Sequence, residues 1–361
     1  MKKSIKGKMK SVARCFAAVG LDVSDRKSAA IGLDEAGNVG ARETVPTTTP
    51  EMTRWASALA PTVIALEAGP HSPWISRLLT RCGHEVIVGN PAKIPSISRS
   101  RSKSDWRDAE QLARLARFDR KMLHEIQHRT EDKQKDLQVI RSRDAVVRAR
   151  SKLISHVRAT VKAHGHRVER CSTDAFSKRA RTTLIQDVLE IVVPVLDAID
   201  TLSATIASYD KRIEKLAATK YPDTACLQQV NGVGALTALA FVLVLADATK
   251  FRSSRMVGPY LGLVPARDQS GEIDPQKGIS KEGDRLMRRL LVQSAHYILG
   301  PNRVDCDLRR HGQSIASRGG KNAKKRAAVA VARKLSVLLH HLWITKQTYV
   351  PLMNVPNTAA A

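Results

Sequence analysis

Apolar and polar positions follow two different rhythms along the chain. In the first third the apolar runs are short and stop at glycine, proline or an acid. One run covers 13–20 and continues as Leu21-Asp22-Val23-Ser24. Ser28-Ala29-Ala30-Ile31-Gly32-Leu33 follows, then a turn over 34–38, then a third run ending at Val45. Short runs separated by short turns predict an antiparallel meander. Next, 50–60 reads as a helix capped by Thr49, 62–67 as a buried strand bounded by Pro61 and Gly69, 74–82 as a helix and 85–88 as a strand. A longer helix opens at Asp105: Ser104 is of the N-cap type, and Leu112, Leu115 and Ala116 recur at helical spacing. The order β-β-β-α-β-α-β-α puts helices between the later strands and predicts an α/β layer.

From about 132 the rhythm becomes helical. Residues 133–162 carry Arg141, Arg143, Arg148, Arg150, Lys152 and Arg158 beside a sparser apolar set, Leu137, Ile140, Val147, Ile154 and Val161. A helix with cations on its outer face reads a phosphate backbone or is simply a solvated face. In the next helix Val188, Val192, Val195, Ile199, Leu202, Ile206, Tyr209, Ile213 and Leu216 alternate steps of four and three, a heptad seam with Pro194 inside it. The seam pairs either with the preceding helix or with a copy from a second chain. Gly232-Val233-Gly234 then precedes a strongly apolar helix reaching Leu245, a turn that serves as a phosphate site or as plain structure. The basic stretch 321–326 opens a packing helix to Trp343, and a polar tail follows Pro351.

Charge sharpens this picture. The 361 residues hold 60 Lys+Arg against 34 Asp+Glu, a formal net charge of +26. That excess predicts a polyanionic partner, and nucleic acid rather than membrane, because no run approaches 18 uninterrupted apolar residues. Only 4% of the chain is aromatic, so base stacking is not the main device. The five cysteines are scattered, with no CxxC pair, which points to a reducing compartment and away from structural zinc.

Four acids carry the candidate chemistry. Asp22 ends the first strand, Glu67 ends the fourth, and Asp105 with Asp108 occupies one face of the opening turn of a helix. Strand ends are where α/β sheets place their ligands. Four carboxylates gathered there repel one another unless hard divalent cations, Mg²⁺ or Mn²⁺, lie between them. Two such ions roughly 4 Å apart can hold the attacking and leaving oxygens of a phosphodiester. The segment before the helix is basic, with Arg99, Arg101 and Lys103. A second basic block surrounds a loop serine: Arg267, Ser270, Lys277, Lys281, Arg285, Arg288 and Arg289.

The motifs Gly20-Leu21-Asp22, Leu66-Glu67-Ala68-Gly69 and Lys103-Ser104-Asp105-Trp106-Arg107-Asp108-Ala109 resemble those of the DEDD transposases, insertion-sequence recombinases related to the pilin-gene invertase Piv. The block from Gly262-Leu263-Val264-Pro265 through Ser270-Gly271 to Gly278-Ile279-Ser280-Lys281-Glu282-Gly283-Asp284-Arg285-Leu286-Met287-Arg288-Arg289 resembles their C-terminal domain, with Asp284 where many relatives carry Asn. The likeness spans roughly 14–342. It implies an α/β plus all-α chain: a basic arm over 1–12, an RNase H-like (RuvC-like) domain over 13–130, a helical coiled-coil segment over 131–220, a mostly helical transposase domain over 221–345 and a tail over 346–361. It also implies metal held by Asp22, Glu67, Asp105 and Asp108, and Ser270 as the nucleophile that forms a phosphoserine link. Ser280, the competing serine, is expected to cap the next helix. Arg99, Arg101, Lys103, Arg141, Arg148, Lys152, Arg267, Lys281, Arg285 and Arg288 are the expected nucleic-acid contacts. The implied partners are donor and target duplex DNA, a structured guide (bridge) RNA, and further copies in a dimer or tetramer. No membrane is expected, and the setting is the bacterial cytoplasm, on the nucleoid. Two other readings stay open: a RuvC-like metal nuclease or junction resolvase without a covalent intermediate, and a non-catalytic nucleic-acid-binding protein.

Overall fold

The strand Ala18–Asp22 (β1) occupies the middle of a five-stranded sheet ordered β3-β2-β1-β4-β5 in the computed structural model, which describes residues 13–94, 104–266, 269 and 277–353. On one side β2 (Lys27–Leu33) and β3 (Val39–Pro46) run antiparallel, as the short turns demand; on the other β4 (Val63–Glu67) and β5 (Glu85–Gly89) run parallel to β1. Parallel neighbours need crossovers, and α1 (Thr49–Ser57) and α2 (Ser72–Arg81) supply them. One face of the sheet buries Val19, Leu21, Ile64 and Leu66 against Met52, Trp55, Ile75 and Leu79. The other buries Ala18, Ala65 and Ile87 against Leu112 and Ala116 of α3 (Asp105–Phe118). Covered on both faces, the central strands read as unbroken apolar runs instead of alternating ones.

The element order matches the sequence reading, with shifted ends. The first strand starts at Ala18, because Arg14 instead bridges to Leu59 and its guanidinium is taken by Glu43. Thr48 in extended conformation, not Thr49, precedes α1, and Pro50 sits in the first turn, where its missing N–H costs nothing.

The chain divides into two compact units, residues 1–129 and 130–361. The second is helical: α4 (Glu131–Ala163), α5 (Phe176–Thr183), α6 (Gln186–Thr219), α7 (Thr224–Gln228), α8 (Ala235–Leu245), α9 (Val257–Tyr260), α10 (Arg285–Leu299), α11 (Asp307–Ser317) and α12 (Ala323–Thr345). Helix α8 is buried from Thr237 to Leu245 and forms the centre of this unit's core. The heptad seam finds its partner within the chain. Val188, Val192, Leu196 and Ile199 pack with Ile154, Val157 and Val161 of α4 and with Phe176, and Ile213 and Ala217 pack with Leu137 and Ile140. The buried row drifts to Leu196 and Ala217 where a strict heptad names Val195 and Leu216, because a straight helix turns every 3.6 residues. The helix passes through Pro194 without ending there. Segments 131–220 and 221–345 thus share one core. By length and composition α6 and α12 are apolar enough to cross a membrane, but α12 sets Val331, Ala332, Leu335 and Leu339 into the protein core.

Candidate active site

Leu21 of β1 is paired with Leu66 of β4, so Asp22 and Glu67 are the next residues at the carboxyl ends of adjacent parallel strands. What brings the third and fourth acids to them is a glycine. A Cβ on Gly20 would stand 1.9 Å from the Ala109 carbonyl oxygen and 2.6 Å from the Ala113 nitrogen. Helix α3 therefore crosses β1 backbone against backbone, a contact that only glycine in the strand and alanines on the helix permit. Ala109 and Ala113 are fully buried at that crossing. The first turn of α3, with Asp105 and Asp108, is thereby carried to the end of β1. Ser104 sits at the N-cap position, where its carbonyl oxygen accepts from the Arg107 and Asp108 N–H groups; its hydroxyl makes no cap bond.

The electrostatics report the result. Burial pushes the Asp22 carboxyl up to about 6, and the charges of Asp105, Asp108 and Glu67 push it the same way, against a weaker opposing hydrogen bond from the Val23 backbone. The charges of the other three acids thus all reach Asp22. Among the described residues no group of three or more His, Cys, Asp and Glu side chains stands ready to hold a metal ion. The donor chemistry, all hard oxygens on three elements, suits Mg²⁺ or Mn²⁺ and suits neither zinc nor copper.

Asp22 and Glu67 line a cavity of about 90 Å³ with Gly69, Pro70, His71 and Ser72. Pro70, His71 and Ser72 were not singled out from sequence. The Ser72 hydroxyl accepts from Gly69 N–H (3.0 Å), donates to Gly69 O (2.9 Å) and lies 2.9 Å from His128 Nε2, which clamps the turn behind Glu67. His71 Nδ1 accepts from the Trp74 indole (3.1 Å), which leaves the proton on Nε2, 3.3 Å from Asp25. The sequence signal was a Gly-Pro-His-Ser run two residues after a strand-end acid.

In the second unit, Ser270 and Arg267 lie outside the described residues, as do Arg99, Arg101 and Lys103. The base of the Ser270 segment is described. Ala266 N–H donates to Gly278 O (2.9 Å) and Ser280 N–H to Val264 O (2.8 Å), with Pro265 bridged to Ile279. Gly262, at φ +66°, lets the Glu282 backbone pass where a Cβ would meet it at 2.3 Å. Arg288 donates to the carbonyls of Leu261 (3.2 Å), Gly283 (3.0 Å) and Glu282, so it ties this clasp together. Ser280 does not cap the next helix: α10 begins at Arg285, and Asp284 accepts from Met287 N–H (2.8 Å). An Asp or an Asn oxygen performs that capping equally well. The Ser280 hydroxyl is instead buried with no hydrogen-bond partner among the described residues.

The cations of α4 are largely engaged inside the unit. Arg141 pairs with Asp284 (3.1 Å) and Arg148 with Asp144 (3.1 Å). Arg143 grips Asp210, Arg158 lies over the Phe176 ring (5.1 Å), and Arg150, itself buried, reaches Asp174, Ser203 and Thr173. The expected outward row of charges is therefore in good part a set of ties between helices. Lys152, Lys281 and Arg285 are exposed.

Known proteins place these features together. A family model described as a transposase, the DEDD domain of the IS110 group, matches residues 19–165. A second, described as Transposase IS116/IS110/IS902 family, matches residues 224–303. The chain is 27% identical over 290 residues to the transposase for insertion sequence element IS1328 of Yersinia enterocolitica, covering 79% of this chain and 85% of that one. It is 25% identical over 342 residues to the transposase for insertion sequence element IS1111A of Coxiella burnetii, covering 92% and 90%. A probable family 20 transposase of Pseudomonas aeruginosa is 27% identical over 344 residues, covering 92% and 98%. Acids at the ends of a mixed sheet, joined to a helical unit with these relatives, define a DNA transposase. Within that class the chain belongs to the IS110/IS116 family of insertion-sequence transposases.

Proposed function

We propose that this transposase cuts and rejoins duplex DNA through a serine ester, with Asp22, Glu67, Asp105 and Asp108 holding Mg²⁺ or Mn²⁺ and Ser270 attacking phosphorus. The observation that supports the metal assignment is geometric: Asp22 and Glu67 end adjacent parallel strands, and the close crossing at Gly20 carries the first turn of α3 to the end of β1. Sheet order β3-β2-β1-β4-β5, with acids at the ends of β1 and β4, supports an RNase H-like reading of the first unit. Such an ion supplies Lewis-acid stabilisation of the charge that builds on the phosphate.

The chain's own residues do the rest. Ser270 Oγ loses its proton and bonds to phosphorus while one bridging P–O bond of the DNA breaks, and the departing deoxyribose oxygen takes up a proton. A DNA hydroxyl reverses the step: it forms a new P–O bond and returns the serine as leaving group, so no external energy is needed. The clasp at Gly262, Glu282 and Arg288 fixes the roots of the loop that bears the serine. Family likeness supports a structured bridge RNA that pairs with donor and target DNA, which leaves the protein chiefly backbone contacts. Rejoining exchanged strands requires a dimer or tetramer.

The test is adduct trapping. Full-length protein with its RNA, Mg²⁺ and a nicked suicide DNA is expected to yield a denaturant-stable protein–DNA adduct, absent from Ser270→Ala and Asp105→Ala. Recombination by Ser270→Ala overturns the serine assignment, and cleavage without adduct in the parent shows a hydrolytic nuclease instead.

A further inference from the structure

Arg141, Arg143, Arg150, Arg181 and Arg289 are each held by aspartate within the second unit, but one surface is different. A groove of about 1320 Å³ runs between α11 and α12 and reaches Pro265 and Gly278. Along α12 its lining residues recur every three or four positions, from Asn322 through Arg326, Ala330, Arg333 and Val337 to His341, which is one helix face about 28 Å long. The floor is apolar, with Ile315, Val329, Ala330, Val337 and Leu338. The walls carry Arg255, Lys277, Arg318, Lys325, Arg333 and Lys334 against one acid, Asp307. Arg255, Arg318, Lys325, Arg333 and Lys334 meet no carboxylate among the described residues. Contrast Arg143, Arg150 and Arg181, each held by aspartate. Like charges also crowd here: burial lowers the His311 pKa, and Lys334 and Arg318 lower it further.

We propose that the groove between α11 and α12 binds the sugar-phosphate backbone of duplex DNA. Unpaired cations in rows along a helix cost the fold their mutual repulsion, and a polyanion laid between them removes it. Among the described lining residues Tyr349 is the one Phe, Trp or Tyr, so the groove offers no row of large rings for unpaired bases; this favours a duplex over a single strand. Its end at Pro265 and Gly278 directs a bound duplex toward the residues that flank the Ser270 segment, and in this respect the inference rests on the proposed function.

Binding is measured in EDTA, where chemistry is silent, so failure of the groove and failure of the serine-ester reading are separable. The probes are a fluorescein-labelled 30-bp duplex of arbitrary sequence and a 30-nucleotide RNA hairpin, titrated with full-length protein across a salt series. The triple variant Lys325→Ala/Arg333→Ala/Lys334→Ala is expected to weaken duplex binding about 10- to 100-fold near 0.1 M salt and to reduce the slope of log K against log salt by about 2 to 3. Lys325→Ala alone is expected to reduce it by about 1. The charge-preserving Lys325→Arg/Arg333→Lys/Lys334→Arg is expected to bind as the parent does. Equal charge removal on α6, Lys211→Ala/Arg212→Ala/Lys215→Ala, is expected to leave the slope nearly unchanged. An unchanged slope in the groove variants, a loss confined to the RNA hairpin, or an equal loss in the α6 control overturns the proposal.

Discussion

Replacing Gly20 by alanine adds one methyl group at the crossing of β1 and α3, and the structure fixes what that methyl meets. The three nearest atoms, at 1.9, 2.6 and 2.9 Å, are all backbone atoms of Ala109 and Ala113. No side chain can rotate away, so the helix must lift. Ordinary contact begins near 3.4 Å, which sets the displacement at about 1.5 Å. Leu112, Ala109 and Ala113, fully buried now, would lose part of their packing. Overpacking of this kind costs about 1–3 kcal/mol, and the upper end applies because the obstacle is main chain. Alanine's better strand entropy returns roughly 0.5–1 kcal/mol, so a net loss of about 2 kcal/mol is expected. The same displacement moves Asp105 and Asp108 relative to Asp22, so divalent-ion affinity falls together with stability. Thermal unfolding, amide exchange in peptides covering 105–118 and calorimetric Mg²⁺ titration measure the three effects. Gly69→Ala is the control, since a Cβ there meets nothing within 4 Å. If Gly20→Ala leaves both exchange and ion binding as in the parent, the account of how the four acids are gathered is wrong.

Three further outcomes follow from the same geometry. In EDTA the first unit is expected to lose stability as pH rises from about 4 to about 6. Asp22 has its folded value raised above the ordinary 3.8, so its contribution is full below 3.8 and vanishes through about 6; the shift corresponds to roughly 3 kcal/mol unscreened, about 1–2 kcal/mol for a partly exposed carboxylate. Asp22→Asn should flatten that dependence, and Mg²⁺ should reverse the loss only in the parent, as followed by melting temperature against pH. Arg288→Ala leaves three carbonyls without their donor and is expected to destabilise the second unit by about 2–3 kcal/mol in urea titration, with Arg288→Lys restoring part of the loss because all three are reached by one nitrogen, Nη1. Tyr221→Phe removes a buried 2.7 Å bond to Asp136, which keeps Lys220 at 2.7 Å; a loss of about 1 kcal/mol is expected, against several for Asp136→Ala.

Much of the first unit was legible because its signals are local. Runs that end at Asp22 and Glu67, turns at glycine and proline, and the three-residue step from Asp105 to Asp108 each follow from short stretches of chain. The ends of elements were not legible in the same way. Thr48 precedes α1 in place of Thr49, since both are capping types and neither hydroxyl makes a cap bond. Nor was the role of Gly20 visible. It lies in the Gly-Leu-Asp motif, but its value depends on a helix 85 residues further on, and only packing shows which backbone it must admit.

Charge is where sequence and structure part most clearly, and the reason is physical. An arginine on a helix reads alike whether its guanidinium meets solvent, a carboxylate or a carbonyl, because its partner lies across the fold. Arg150 at 7% exposure and Arg288 on three carbonyls were indistinguishable in sequence from Lys325 or Arg333. The partners sort them. Cations tied to aspartate or to backbone have given their charge to the fold, and phosphate must compete with those bonds to claim them. Cations without a partner keep theirs. On that criterion the net charge of +26 is not spread evenly in effect. The helix with the densest run of arginines spends much of its charge internally, while the lysine-rich face of α12, which sequence reading treated as a packing helix, has charge to offer a nucleic acid.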